Sequence, residues 1–149
     1  PRPGLKDSAN QTGGTDMAAP PKWAQDLMLD ASVWWESQGN KVRSYNLVWR
    51  RRSKGRYSSG TTYLIGTRIV VTAGSDRLDA KLILLHELAH SLTVNDYKHG
   101  SEFWDVAWTL YRWAKLPMKY CKLREFTYRK EAKAGYARVL AQARTANPE

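Results

Sequence analysis

Cysteine is nearly absent from this sequence, since Cys121 is the single example among 149 residues. One thiol cannot form an intramolecular disulfide, and it cannot build a zinc ribbon, which needs several cysteine ligands. Both kinds of stabilising framework are therefore excluded within the chain. A reducing environment inside the cell is the expectation that follows, with the cytoplasm as the default compartment.

Long apolar runs are also missing. No segment approaches the roughly 18 apolar residues that a membrane span requires. No charged segment followed by an apolar one opens the chain, so nothing predicts a secretory leader. The sequence therefore predicts no membrane partner.

Acidic residues are scarce relative to basic ones, with 14 Asp and Glu against 24 Lys and Arg and a formal net charge of +10. This imbalance favours polyanionic partners, nucleic acid first. Residues 41–56 hold seven basic side chains and no acidic one. The predicted DNA-binding residues in this segment are Arg50, Arg51, Arg52, Lys54 and Arg56. The alternative is a solvated turn whose charge keeps a sheet edge from aggregating.

The chain is predicted to have two parts of unequal character. Residues 1–21 contain few large apolar side chains and many small or polar ones, which is typical of a flexible tail. Residues 22–149 are long enough to bury a core and are expected to form a single domain.

Hydrophobic periodicity predicts an α+β fold for that domain. Apolar residues at helical spacing indicate one helix at its start and three more in its second half, and runs of β-forming residues indicate three strands between them. The expected helices span 22–38, 78–92, 99 to about 115 and 123 to about 143, and the expected strands span 44–49, 61–65 and 68–72. We expect the strands to form a three-stranded antiparallel meander. The strand directly before the second helix is expected to lie at the edge of the sheet, where an extended peptide could pair with it.

The second of these helices contains the pentapeptide His86-Glu87-Leu88-Ala89-His90 within an apolar run. Residues four apart on a helix lie almost one above the other, so His86 and His90 face the same side. That spacing allows both imidazoles to reach one Zn²⁺ ion at about 2.0–2.1 Å. Glu87 is offset from them and is suited to take a proton from water that the ion activates. A chance match, with core histidines bonded to backbone carbonyls, is the alternative.

Three residues compete for the third ligand position. His99 follows the helix after a short loop, Glu102 lies in the first turn of the next helix, and Asp96 lies six residues beyond His90. Asp96 would require a backbone reversal at Thr93, where a glycine is favoured. The order of preference is therefore His99, Glu102 and Asp96. Tyr97 and Tyr120 are available to stabilise an oxyanion, but no spacing favours either of them.

The order of strand, H-E-L-A-H helix, short loop and H-G-x-x-F-W segment (residues 99–104) resembles the SprT-like (Spartan-type) metallopeptidases. It is also similar to the WLM and small gluzincin-like families, and the matching region runs from about Ser44 to Trp113. The resemblance implies a compact zincin core, with His86, His90 and His99 as zinc ligands and Glu87 as general base. It further implies an intracellular peptidase that acts on proteins attached to DNA.

The function expected from the sequence is hydrolysis of peptide bonds by a zinc-dependent enzyme with a basic, DNA-associated surface. DNA contacts are expected from the basic segment described above and from the last helix, which is rich in Lys and Arg. The alternative from another class is a nucleic-acid-binding or assembly protein whose zinc site is structural. A protease associated with a virion is a further alternative.

Overall fold

The computed structural model describes residues 15–96, 98–128 and 130–146. Most of the expected flexible tail and Tyr97 therefore lie outside the described residues. The fold is a mixture of helices and strands, so the predicted α+β class is confirmed. In chain order the elements are β1 (Thr15–Ala18), α1 (Lys22–Ser37), β2 (Asn46–Arg52), β3 (Ser59–Tyr63), β4 (Arg68–Ala73), α2 (Arg77–Leu92), α3 (Ser101–Trp113), α4 (Met118–Glu125), a 3-10 turn (Phe126–Tyr128) and α5 (Lys130–Ala146).

Backbone contacts divide the chain into two compact units, the first ending at Leu88 and the second beginning at Ala89. The boundary falls inside α2, so this continuous helix contributes residues to both units. The expectation of one domain over 22–149 stays a prediction. Among the described residues, every helix is too short or too polar to cross a membrane.

The first unit contains a four-stranded mixed sheet in the order β1-β2-β4-β3. Strand β2 runs parallel to β4, whereas β1 and β3 pair antiparallel with their neighbours. The predicted three-stranded antiparallel meander is therefore wrong. Strand β1 is an addition, because no element was expected before Lys22.

The strand pairing differs from a meander because the segment after β2 is hydrogen-bonded to the residues between β4 and α2. The backbone carbonyls of Gly55 and Arg56 accept hydrogen bonds from the N–H groups of Ser75 and Asp76, at 3.0 and 3.1 Å. This segment therefore runs along the junction between β4 and α2 and does not close a tight turn between β2 and β3. The expected edge strand is corrected as well: β4 is paired on both sides, and β3 lies at the edge.

Helix α2 begins at Arg77, one residue before the expected start. The Asp76 carboxylate accepts hydrogen bonds from the N–H groups of Leu78 and Asp79, at 3.0 and 3.3 Å. Such a carboxylate satisfies backbone donors that have no partner within the helix. The buried Asp79 carboxylate accepts a further hydrogen bond of 2.6 Å from the N–H of Ser58. These bonds fix the start of α2 against the segment that follows β2.

The second unit is helical, and its helices α3 and α5 pack closely. A Cβ atom at Gly135 would lie 2.5 Å from the Trp104 Cβ atom, so only glycine allows this approach. The Trp108 indole N–H donates to the Ala132 carbonyl at 2.9 Å. The single helix expected over 123–143 is instead two helices joined by a 3-10 turn. At the end of α4, the buried Glu125 carboxylate accepts a 2.6 Å hydrogen bond from the Tyr111 hydroxyl on α3.

Candidate metal centre

Helix α2 presents His86 and His90 one turn apart, as the sequence predicts. His86 is buried, with 5% of its surface exposed, and His90 is half-buried. Leu85 and Ala89 are both fully buried, so the helix is anchored by an apolar face close to the two imidazoles. Burying polar rings among apolar neighbours costs free energy unless their nitrogens find partners.

His99 precedes α3 and adopts a left-handed backbone conformation, with φ of 57°. Few residues other than glycine adopt this conformation, although His is among those that tolerate it best. The Nε2 atom of His99 lies 3.0 Å from Nε2 of His90. The local reversal at His99 therefore accompanies a direct approach of its ring to α2.

The three histidines form a group that can hold a metal ion. His86, His90 and His99 each offer one ring nitrogen, and these nitrogens all lie within 4.8 Å of one another. In a tetrahedral zinc site with bonds of about 2.0–2.1 Å, ligand nitrogens are about 3.3 Å apart. The separation of 3.0 Å between His90 and His99 also permits a hydrogen bond between neutral imidazoles when no ion is bound.

Two aromatic residues of α3 hold the imidazoles in place. The Phe103 ring stacks on His90, with centroids 4.2 Å apart, and meets the His99 ring edge-on at 4.8 Å. Trp104 lies beside His99 at 5.9 Å. Phe103 and Trp104 are both fully buried. The Phe-Trp pair of the H-G-x-x-F-W segment therefore packs directly against two of the candidate ligands.

The remaining rivals for the third ligand position have other roles. The Asp96 carboxylate accepts hydrogen bonds from the N–H groups of Gly100 and Phe103, at 2.9 and 2.8 Å, and so caps α3. Glu102 is exposed to solvent in the first turn of that helix. Among the described residues, neither joins the histidine group. Gly100 has an ordinary φ of −83° and is needed for space, because a Cβ atom there would lie 2.5 Å from Asp96 Oδ1.

Glu87 is buried and oriented by strand β3. The Thr62 hydroxyl lies 2.8 Å from both Oε1 and the backbone carbonyl oxygen of Glu87, and can donate to either. Only 6% of the Glu87 surface is exposed. A Cβ atom at Gly60 would lie 2.6 Å from the Glu87 Cγ atom, so glycine allows the strand to approach the helix here. Glu87 is thus fixed from the edge strand of the sheet.

Thr62 and Gly60 are residues of the site that sequence reasoning missed. The contact between Thr62 and Glu87 joins residues 25 apart in the chain, and no local pattern predicts it. Gly60 did carry a signal, because an isolated glycine beside a run of β-forming residues indicates a close approach of backbone.

The five predicted DNA-binding residues do not form one group. Arg51, Arg52 and Lys54 line a cleft in the first unit, together with Arg77, which was not predicted. Arg50 and Arg56 lie outside that lining, and the Arg56 guanidinium lies over the Tyr57 ring at 4.9 Å. The expected basic hairpin is not a hairpin, since β2 pairs with β1 and β4.

On the last helix, the Arg138 guanidinium is paired with the Asp105 carboxylate at 2.7 Å. That arginine is therefore partly neutralised by its neighbour.

Three imidazoles around one point provide nitrogen donors for a transition-metal ion and leave a tetrahedral ion with a fourth position for water or substrate. The arrangement is therefore suited to catalysis as well as to metal binding. Comparison of the chain with protein-family models, with curated proteins and with solved structures finds no match.

Proposed function

We propose that this protein is a zinc-dependent metallopeptidase that hydrolyses peptide bonds. The observation that carries the proposal is the grouping of His86, His90 and His99, whose ring nitrogens lie within 4.8 Å of one another. Glu87, the residue of the pentapeptide that suits proton transfer, is buried on the same helix. Two of the ligands and the base thus lie on α2.

The donor set favours zinc over the common hard cations. Imidazole nitrogen suits zinc and other first-row transition metals, whereas calcium and magnesium prefer oxygen ligands. Three neutral imidazoles leave the charge of the ion uncompensated, which increases its effect on water and on a carbonyl. When bound there, zinc lowers the pKa of a coordinated water molecule and polarises the carbonyl of the substrate.

Glu87 is assigned the role of general base. Its carboxylate accepts a proton from the attacking water and later returns it to the leaving amine nitrogen. The Thr62 hydroxyl, 2.8 Å from Oε1, restricts the carboxylate to one orientation during both transfers. Burial of Glu87 keeps bulk water from competing for the same hydrogen bonds.

An edge strand provides a means of binding an extended peptide. Strand β3 is the last strand in the sheet order, so within the described residues only one of its edges is paired. Its free backbone groups can add a substrate strand, while the exposed side chains of Ser59, Thr61 and Tyr63 contact substrate residues. This places the bound peptide beside the strand that orients Glu87.

The net charge of +10 supports proteins attached to DNA as the substrate class. A basic enzyme is attracted to the polyanion and therefore concentrates near proteins bound to it. The alternative is a structural metal site in a nucleic-acid-binding protein, where the same three histidines would stabilise the fold and Glu87 would have no chemical role.

The test replaces Glu87 by Gln and measures zinc content and peptide hydrolysis together. Because Glu87 is not a ligand, we expect the variant to retain one zinc ion per chain, measured by mass spectrometry of the metal. Hydrolysis of an unfolded protein substrate should fall about a hundredfold or more, as expected when a general base is removed.

The matched control is Glu102→Gln, an exposed carboxylate of α3 that should leave both quantities unchanged. Equal hydrolysis by Glu87→Gln and the parent chain would exclude the proposed mechanism. If neither cleaves any substrate and chelation of the metal unfolds the chain, the structural alternative is correct.

A further inference from the structure

A cleft of about 590 Å³ opens in the first unit, at the N-terminal end of α2. Its volume lies within the range of about 300–1,000 Å³ that is typical of ligand sites. Side chains from α1, β2, the segment after β2 and α2 contribute to its walls. The aromatic and basic residues of its lining are Trp23, Trp49, Arg51, Arg52, Lys54 and Arg77.

The lining of this cleft is basic. Among the described residues, no acidic side chain lines it. The two carboxylates at the start of α2, Asp76 and Asp79, accept hydrogen bonds from backbone N–H groups. The ion pairs of Lys22 with Asp26 and of Arg138 with Asp105 do not involve the cations of the cleft.

Arg77 adds a positive charge at the N-terminal end of α2, which the Asp76 carboxylate caps. It is the first residue of α2, where the helix dipole presents positive charge. Its guanidinium lies over the Trp23 ring, 5.4 Å from the centroid, and Trp23 meets the buried Trp49 edge-on at 5.6 Å. The two tryptophans therefore hold the Arg77 guanidinium at the cleft. Its charge adds to that of the helix end and of the cations of β2.

Strand geometry selects which arginines of β2 participate. Successive side chains of a strand point to opposite faces, so Arg51 shares the face of Trp49 while Arg50 points away. Arg51 accordingly lines the cleft and Arg50 does not. Arg52, at the end of the strand, also reaches the cleft and donates to the Ser59 hydroxyl at 2.8 Å.

We propose that this cleft binds the phosphodiester backbone of a single nucleic-acid strand. Four cations around a concave space, in a lining that includes no acidic side chain, match a chain of negative phosphates. A single strand is favoured over a duplex because its flexible backbone can bend into a cleft, whereas duplex DNA stays stiff over about 150 base pairs. The half-buried Trp23 adds an aromatic surface of the kind on which unpaired bases stack. The inference does not depend on the proposed peptidase activity.

The test measures binding of a fluorescently labelled 15-nucleotide oligothymidine by anisotropy over a range of salt concentrations. The double variant Arg51→Ala/Arg77→Ala should lower the affinity about tenfold or more. It should also reduce the slope of log K against log salt by about 1.4, because two phosphate contacts on a single strand are lost. The matched control is Arg50→Ala, which removes the same charge from the opposite face of the strand and should change the affinity less than twofold.

Three results would overturn the proposal. Equal loss of affinity in Arg50→Ala and Arg51→Ala would show that net charge, and not the cleft, binds the oligonucleotide. If a labelled duplex binds more tightly than the oligothymidine and loses the same affinity in the double variant, the ligand of the cleft is a duplex and not a single strand. Absence of oligonucleotide binding by the parent chain at low salt would exclude a nucleic-acid site.

Glu87→Gln serves as a separate reference in the same assay. This variant should lose hydrolysis but bind the oligonucleotide like the parent. Failure of the peptidase proposal would appear in the hydrolysis assay, and failure of the cleft proposal would appear in the binding assay. Circular dichroism at increasing temperature checks that every variant is folded.

Discussion

Glu87, in the first unit, and His99, in the second, are held in different ways. In the first unit, the Thr62 hydroxyl lies 2.8 Å from Oε1 of Glu87, and strand and helix approach closely at Gly60. The second unit fixes His99 through its own left-handed backbone, through packing on Phe103, and through a loop closed by Asp96. Glu87 is thus oriented by a directed contact from a hydroxyl, whereas His99 is held by its backbone conformation and by packing.

This difference predicts different responses to mutation. A side chain held by one hydrogen bond gains rotational freedom when its partner is removed, although its chemistry is retained. A metal ligand held by packing keeps its position when one neighbour changes, but its own removal deletes a bond to the ion. The largest effect is therefore expected from loss of a ligand, and a smaller one from loss of the contact that orients the base.

The strongest test of the comparison is His99→Ala. Removal of one of three imidazoles should lower zinc affinity by more than about a hundredfold, which exceeds the effect typical of residues that only support a ligand. Competition with a fluorescent zinc chelator measures the change. Glu102→Ala is the control and should bind zinc like the parent, because this side chain is exposed.

Asp96→Ala should fall between these two variants. The Asp96 carboxylate is not a ligand in this assignment, but it holds two N–H groups at the start of α3 and thereby the loop that carries His99. Full zinc affinity in His99→Ala, or a greater loss in Asp96→Ala than in His99→Ala, would refute the assignment of the third ligand.

A smaller effect is expected from Thr62→Val, which keeps the shape of the side chain and removes its hydroxyl. A hydrogen bond to a charged group contributes about 1.5–3 kcal/mol, so the rate of hydrolysis should fall between about tenfold and a hundredfold. Zinc content should not change. Steady-state kinetics with the zinc-loaded protein measures the effect.

Two controls separate positioning from a general loss of stability. Thr72→Val makes the same change on the neighbouring strand β4, at a residue with no part in the proposed site, and should leave the rate unchanged. Thr62→Ser restores a hydroxyl and should recover most of the activity. If Thr62→Ser is as slow as Thr62→Val, the hydroxyl does not orient Glu87.

Features that depend on residues close together in the sequence could be predicted, whereas features that depend on contacts between distant residues could not. His86, Glu87 and His90 could be placed because helical spacing alone puts both histidines on one side of α2. The order of the strands could not be predicted, because the parallel pairing of β2 with β4 depends on where the carbonyls of Gly55 and Arg56 find their donors. The cleft was missed for a similar reason. Arg77 is isolated from the basic run in sequence and joins it only through the fold.

The smallest expected effect is a pH dependence of the free energy of unfolding, and it arises from Cys121 in the interior of the second unit. Cys121 is fully buried, and burial together with the nearby Glu125 carboxylate raises the pKa of its thiol from 9.0 to about 12. The folded chain therefore keeps a proton that the unfolded chain releases above pH 9. The contribution of this thiol to stability is complete below pH 9 and is lost as the pH rises towards 12.

Urea unfolding at pH 8 and pH 10 tests this dependence. Between these values the parent chain should lose about 1.4 kcal/mol of unfolding free energy more than Cys121→Ala, which corresponds to one pH unit above the pKa of the unfolded thiol. Titration of lysines affects both chains equally and cancels in the difference. An identical loss in the two chains would mean that water reaches Cys121 in the folded state, and that the helices of the second unit are packed less tightly than the close approach at Gly135 requires.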